Sequence, residues 1–178
     1  MIKRSIFGMF AVMFTLPDRT SESSDEQRQA MLAMVASITD GEDNFIANAA
    51  NTASVLFHMM PDVNWTGFYL FDGTELVLGP FHGKPACIRI ALGRGVCGTA
   101  AAERRTIVVP NVEEFPGHIA CDAASASEIV VPIVHNGALI GVLDVDSPTI
   151  GRCTEADAEF LQQVVDILVS RTYGTPTR

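Results

Sequence analysis

Residues 127–146 read SEIVVPIVHNGALIGVLDVD, and this stretch decides the fold. Two apolar runs, 127–134 and 138–146, flank His135-Asn136-Gly137. Asn-Gly takes up the left-handed backbone that a tight hairpin demands, so the runs are predicted to be neighbouring antiparallel strands. In the second run, alternation puts Ile140, Val142, Asp144 and Asp146 on one side, with Leu139, Gly141, Leu143 and Val145 on the other. Two carboxylates on one face of an apolar strand admit two readings. If they lie mid-sheet, burying them is costly unless a cation or a donor meets them. Alternatively the strand runs out into solvent, and Asp146 begins the turn before Pro148.

A second hairpin lies upstream. NWTGFYLF (64–71) leads into Asp72-Gly73, a strong short-range turn signal, and ELVLGPF (75–81) returns antiparallel. Trp65, Gly67 and Tyr69 share one face of the first strand, and Thr66, Phe68 and Leu70 the other. A tryptophan and a tyrosine with glycine between them would leave a gap above the sheet, suited to a small apolar group. The competing reading is two half-buried aromatics packed beneath a helix. A third strand over about 86–91 precedes the turn Gly93-Arg94-Gly95, and TIVVP (106–110) supplies a fourth.

Helices flank these strands. From about Ser24, Met31, Met34, Val35 and Ile38 recur at helical spacing until Gly41. Asp43 is the expected cap of a second helix whose buried face is Phe45, Ala49, Ala53, Leu56 and Met60, ended by Pro61. His58 on that helix reads as a surface histidine. Over about 154–173, Ala158, Leu161, Val164, Val165 and Leu168 mark a final helix, with Thr154 and Asp157 approximating a capping box. The reading is one α+β domain over 21–174 preceded by an apolar extension, 1–20. That extension has Lys3 and Arg4 before a run too short to span a bilayer, which needs roughly 20 apolar residues. It resembles a signal peptide without a cleavage site, or a mitochondrial-type presequence, or sequence upstream of a start at Met9 or Met13.

Composition narrows the function. With 178 residues, 48% hydrophobic and 19% charged, the chain can bury a real core. Its net charge of −9 argues against nucleic acid, which requires a basic face. Nothing in the chain suggests a membrane partner. Four cysteines at spacings of ten, twenty-four and thirty-two residues are too sparse for a disulfide scaffold, and without a CxxC pair they support no metal site. Four inert buried thiols would satisfy the cysteine count alone.

Three cysteines nevertheless fall in one segment, KPACIRIALGRGVCGTAAAERRTIVVPNVEEFPGHIACDAASASE (84–128). Cys97 is placed in the first turn of a short helix, where the dipole is expected to lower its pKa. The connection 111–126 is long for a compact domain and carries His118, Cys121 and Asp122, with Glu128 just beyond. Long ordered loops tend to be functional. Thiols grouped with an acid point to sulfur redox chemistry. Cys153, just before the last helix, reads as structural.

The motifs NWTGFYL, LVLGPFHGKPAC, GRGVCGTA, GHIACDAASASEIVVPI and GVLDVDSP, in this order over residues 43–172, resemble a GAF domain and, more narrowly, the free methionine-(R)-sulfoxide reductase family. The resemblance implies a central antiparallel sheet with the N- and C-terminal helices packed on one face and a loop-covered pocket on the other. It implies that Cys121 attacks the sulfoxide and that Cys87 resolves the product into a disulfide, Cys97 being the third family cysteine. Glu128, Asp144 and Asp146 match the pocket carboxylates, and Trp65 and Tyr69 the aromatic wall. It further implies free methionine-(R)-sulfoxide as substrate, thioredoxin as external reductant, no bound cofactor, and a homodimer. A cytoplasmic location is expected, or a mitochondrial one if the extension is a presequence. Helix position favours Cys97 as nucleophile, whereas the resemblance favours Cys121, and the resemblance is followed. Two rival classes remain: a GAF sensor for a cyclic nucleotide or tetrapyrrole, and a cysteine redox switch without turnover. Acids in the pocket would repel a nucleotide's phosphate.

Overall fold

The computed structural model describes residues 24–118 and 122–174; the N-terminal extension 1–20 lies outside them. Six strands form one antiparallel sheet: β1 Trp65–Phe71, β2 Glu75–His82, β3 Arg89–Ala91, β4 Ile107–Val109, β5 Ser127–His135 and β6 Ala138–Ser147, in spatial order β3-β2-β1-β6-β5-β4. The third strand is shorter than the run of apolar residues suggested. Both tight turns form. Asn136 and Gly137 have φ of 48° and 78°, the pair of positive values that a two-residue type I′ hairpin needs. At the other hairpin, the Asp72 side chain accepts from the amides of Thr74 and Glu75.

Three helices, α1 Ser24–Ile38, α2 Phe45–Met59 and α4 Glu155–Tyr173, cover one sheet face. Their apolar stripes bury Val35, Ala53, Leu56, Leu161, Val164 and Leu168 against Phe68, Ile129, Val131, Leu143 and Val145. The cap of α2 is Asn44 rather than the expected Asp43: its side chain accepts from the Ala47 amide, while Glu42 receives the Asn44 amide. Thr154 and Asp157 do form a reciprocal capping box on α4, and Arg28 and Arg152 neutralise Asp157 at 3.0 and 2.9 Å. Buried Cys153 belongs to this helical layer, where loss of water pushes its thiol up to about 11. His58 is exposed, its ring 5.7 Å from that of His82. None of the described helices is long and apolar enough to cross a membrane.

The opposite face carries α3, Gly95–Glu103, and the described residues of the long connection 111–126, among them a 3-10 turn at Val112–Glu114. Alternation fails in β2, where the step from Leu78 to Phe81 opposes the shorter step from Tyr69 to Gly67, and again in β6. Val134 pairs with Leu139 while Ile133 pairs with Gly141, so Ile140 is an extra residue in β6. This bulge turns Ile140 toward the helical layer and Leu139 toward the other face. Ile140 therefore does not share a face with Asp144, as unbroken alternation predicted.

Candidate active site

Strand pairing assembles a group of side chains from distant parts of the chain. Trp65 lies opposite Asp146, Gly67 opposite Asp144, and Tyr69 opposite Val142 across β1 and β6. Glu128 lies opposite Asp146, and Val130 opposite Asp144, across β5 and β6. Because same-face residues on adjacent strands are neighbours, Trp65, Tyr69, Glu128, Asp144 and Asp146 share the face turned away from the three-helix layer. Glu128 and Asp146 pair one residue inside the ends of β5 and β6, yet the acids are covered rather than run out into solvent: Glu128 and Asp144 are each only 6% exposed, and Asp146 is partly buried.

The aromatic wall is built more tightly than a gap over Gly67 would allow. Trp65 stacks between Phe81 and Tyr69, with ring centroids 5.4 and 6.0 Å away. A Cβ on Gly67 would collide with the Phe81 Cβ and approach the Trp65 ring to 2.5 Å. The glycine lets the indole lie flat on the strand, so Trp65 itself fills the space and the free volume lies beyond it. The indole N–H donates to the Lys84 carbonyl at 3.1 Å, fixing the ring's direction.

Helix α3 brings Cys97 onto the acids. The helix sits close against the end of β3, since a Cβ on Gly98 would strike the Ala91 carbonyl. The Cys97 thiol donates to Asp144 Oδ2 at 3.2 Å and lies 4.0 Å from Glu128 Oε1. Burial, then the adjacent Asp144 and Glu128 carboxylates, push the Cys97 thiol well above its ordinary value. The dipole argument therefore fails here: desolvation and two acids outweigh a helix N-terminus, and Cys97 is a protonated thiol. Sulfur and oxygen atoms of Cys97, Glu128 and Asp144 lie within 4.8 Å of one another, a spacing that could hold a cation. A shared proton already satisfies the shortest of these contacts.

The acids are perturbed in the same sense. Burial is the main cause in each case. It raises Glu128 to about 7, with Asp146 adding to the effect and a hydrogen bond from His118 opposing it. Asp144 is pushed well up by burial and by Glu128, and Asp146 by burial and by Asp144. Asp144 Oδ1 is buried with no hydrogen-bond partner among the described residues, as suits a carboxyl that faces a ligand space. His118 Nε2 stands 3.4 Å from Glu128 Oε2, so this loop histidine is a partner of the acid.

These groups line a small cavity of about 30 Å³, together with Ile90, Val96, Asp122 and Ser125. A smaller adjoining cavity is lined by Trp65, Lys84, Pro85 and Ala86, and shares Tyr69, Asp122, Asp144 and Asp146. Lys84 pairs with Asp122 at 3.1 Å, tying the loop that carries Cys87 to the residue that follows Cys121. Lys84 and Ser125 carried no sequence signal apart from their place inside the cysteine segment. Partly buried Cys87 packs at the edge of this cluster, in the loop between β2 and β3. Cys121 lies outside the described residues. Of the eight residues singled out from the sequence, the structure unites Trp65, Tyr69, Cys97, Glu128, Asp144 and Asp146 around two adjoining cavities that share Tyr69, Asp144 and Asp146.

The GAF domain family model matches residues 11–170. The free methionine-R-sulfoxide reductase of Escherichia coli is 54% identical over 125 residues, 70% of this chain and 76% of that one. The free methionine-R-sulfoxide reductase of Neisseria meningitidis, solved in complex with its substrate, superposes with a TM-score of 0.81 at 44% identity, covering 86% of this chain and 94% of that one. A putative GAF sensor protein from Burkholderia vietnamiensis superposes at 0.82 with 52% identity, covering 85% and 97%.

Proposed function

The chain belongs to the free methionine-(R)-sulfoxide reductase family of GAF-domain proteins, and on that premise we propose that it reduces free L-methionine (R)-sulfoxide to methionine. One observation carries the proposal: Glu128 and Asp144, each 6% exposed, line a pocket with an aromatic wall, and their burial raises Glu128 to about 7 and Asp144 above its ordinary range. A sulfoxide sulfur becomes electrophilic only as its oxygen takes up a proton, and a carboxyl poised near the working pH is the efficient donor.

In this mechanism the indole of Trp65 and the ring of Tyr69 hold the ε-methyl, which selects one sulfoxide configuration by shape. Asp146, the most exposed of the three acids, pairs with the substrate ammonium. The Glu128–Asp144 pair donates to the sulfoxide oxygen, with His118 holding Glu128 in place. Cys121 attacks sulfur as the thiolate. The oxygen passes to the cysteine as a sulfenic acid, and methionine leaves. Cys87 condenses with that sulfenic acid, expelling water and closing a disulfide, which an external dithiol of the thioredoxin type reduces. Cys97, protonated and hydrogen bonded to Asp144, donates to that acid rather than attacking. No bound cofactor is required, and a homodimer is the expected assembly.

The test is a coupled assay offering each sulfoxide epimer, free and peptide-bound, with thioredoxin, thioredoxin reductase and NADPH. NADPH loss with the free (R) epimer alone is the expected result. Disulfide formation under peroxide without consumption of free sulfoxide would instead make the chain a redox switch.

A further inference from the structure

A free amino acid brings an α-carboxylate into a cavity walled by acids, and that negative charge needs its own partner. Among the described residues lining the two adjoining cavities, Lys84 alone is a lysine or arginine. Asp122, and Asp146 when it is ionised to meet the substrate ammonium, would otherwise repel the carboxylate. Building on the proposed reductase activity, we infer that Lys84 is the specificity residue that reads the substrate's free α-carboxylate.

Its setting suits an exchange of partners. The Lys84 backbone is anchored by its carbonyl, which accepts from the Trp65 indole at 3.1 Å. Its ammonium is held at the cavity rim by Asp122, at 3.1 and 3.2 Å from the two carboxylate oxygens. The lysine side chain is 68% exposed and can swing, while Asp122 is 13% exposed. Asp122 keeps the Ala124 amide as a donor when the lysine leaves. An arriving carboxylate therefore replaces one carboxylate partner of Lys84 with another. Asp122, the neighbour of Cys121, is left without a cation only while substrate is bound. A peptide-bound residue offers a neutral amide in place of the carboxylate, gains nothing from the ammonium, and leaves the Lys84–Asp122 pair intact.

The experiment compares free L-methionine sulfoxide with its C-terminal amide, using dithiothreitol as reductant, in the wild type and in Lys84→Met, Lys84→Arg and Asp122→Asn. Comparing the same two substrates on each enzyme cancels the amide's effect on its own ammonium. Lys84→Met is expected to raise KM for the free acid about 5–30-fold, the worth of one charge-assisted hydrogen bond at a partly exposed site. Its kcat should change little, and the acid-to-amide ratio of kcat/KM should fall by the same factor. Lys84→Arg should restore most of that ratio. Asp122→Asn removes the competing carboxylate but keeps the lysine charge, so its acid-to-amide ratio should equal or exceed that of the wild type. An unchanged ratio in Lys84→Met would overturn the inference while leaving the reductase reading standing. A wild type that reduces neither substrate would overturn both.

Discussion

Glu128→Gln should make the protein more stable and less active at once, and the two effects should separate with pH. The carboxyl is 6% exposed, faces Asp146 across the strand pair, and is raised from its ordinary 4.5 to about 7, chiefly by burial. A carboxyl whose folded pKa lies above its unfolded one binds more protons in the fold than in the unfolded chain. Its neutral form is compatible with folding below about 4.5, stability falls as pH rises between 4.5 and 7, and the loss is complete above about 7. Each tenfold change in proton affinity is worth about 1.4 kcal/mol, so the ionised carboxyl costs the fold ~3 kcal/mol at pH 8. Glutamine keeps the shape, and its amide oxygen can still accept from His118, without the charge. Urea unfolding should show Glu128→Gln more stable than wild type by up to ~3 kcal/mol at pH 8 and no more stable at pH 4.5, with Tm at pH 8 raised by roughly 6–12 °C. The same variant should lose about 10²-fold or more in kcat/KM, the usual contribution of a positioned general acid. A variant equally stable or less stable at pH 8, or one with the same gain at both pH values, would refute the claim that burial holds this carboxyl protonated.

The wild-type kcat/KM should fall as pH rises through about 7, where Glu128 loses its proton; a flat alkaline limb up to pH 9 would exclude it as donor, and the apparent pKa belongs to the coupled Glu128–Asp144 pair. Gly67→Ala should destabilise the protein by about 1–3 kcal/mol by overpacking, because the new methyl meets Phe81 and the Trp65 ring. It should also raise KM, since the displaced indole is the methyl-binding wall; unchanged KM would remove Trp65 from that role. Native iodoacetamide labelling at pH 7.5, read by mass spectrometry, should leave Cys97 and Cys153 unmodified, the first buried and hydrogen bonded to Asp144, the second pushed up to about 11. Labelling of Cys97 as fast as the partly exposed Cys87 would contradict its buried, protonated state.

Local physics carried much of this into the sequence. Asp72-Gly73 and Asn136-Gly137 announce both hairpins, the period-two pattern of 65–71 assigns Trp65, Gly67 and Tyr69 to one face, and Thr154 with Asp157 announces the start of α4. What stayed hidden depends on partners far along the chain. Pairing of β1 with β6 sets Trp65 against Asp146 and Gly67 against Asp144, and no local preference encodes that register. The Cys97 thiol was misread for the same reason: its helix position is local, but the Asp144 and Glu128 carboxyls that decide its protonation arrive from β6 and β5. The bulge at Ile140 is a smaller instance set by pairing across the sheet, whereas the cap of α2 moved by one residue locally, Asn44 reaching the Ala47 amide. Lys84 looked like any surface lysine until the fold brought Asp122, Asp144 and Asp146 around the cavity it borders.

A rapid-quench single turnover without reductant tests the central claim most directly: pre-reduced enzyme is mixed with excess free methionine (R)-sulfoxide and the methionine formed is counted per active site. The account predicts one methionine from Cys87→Ser, with the product trapped as a sulfenic acid on Cys121 by a dimedone probe, and none from Cys121→Ser. Methionine from Cys121→Ser, or none from a folded Cys87→Ser protein, would contradict the assignment of attacking and resolving thiols.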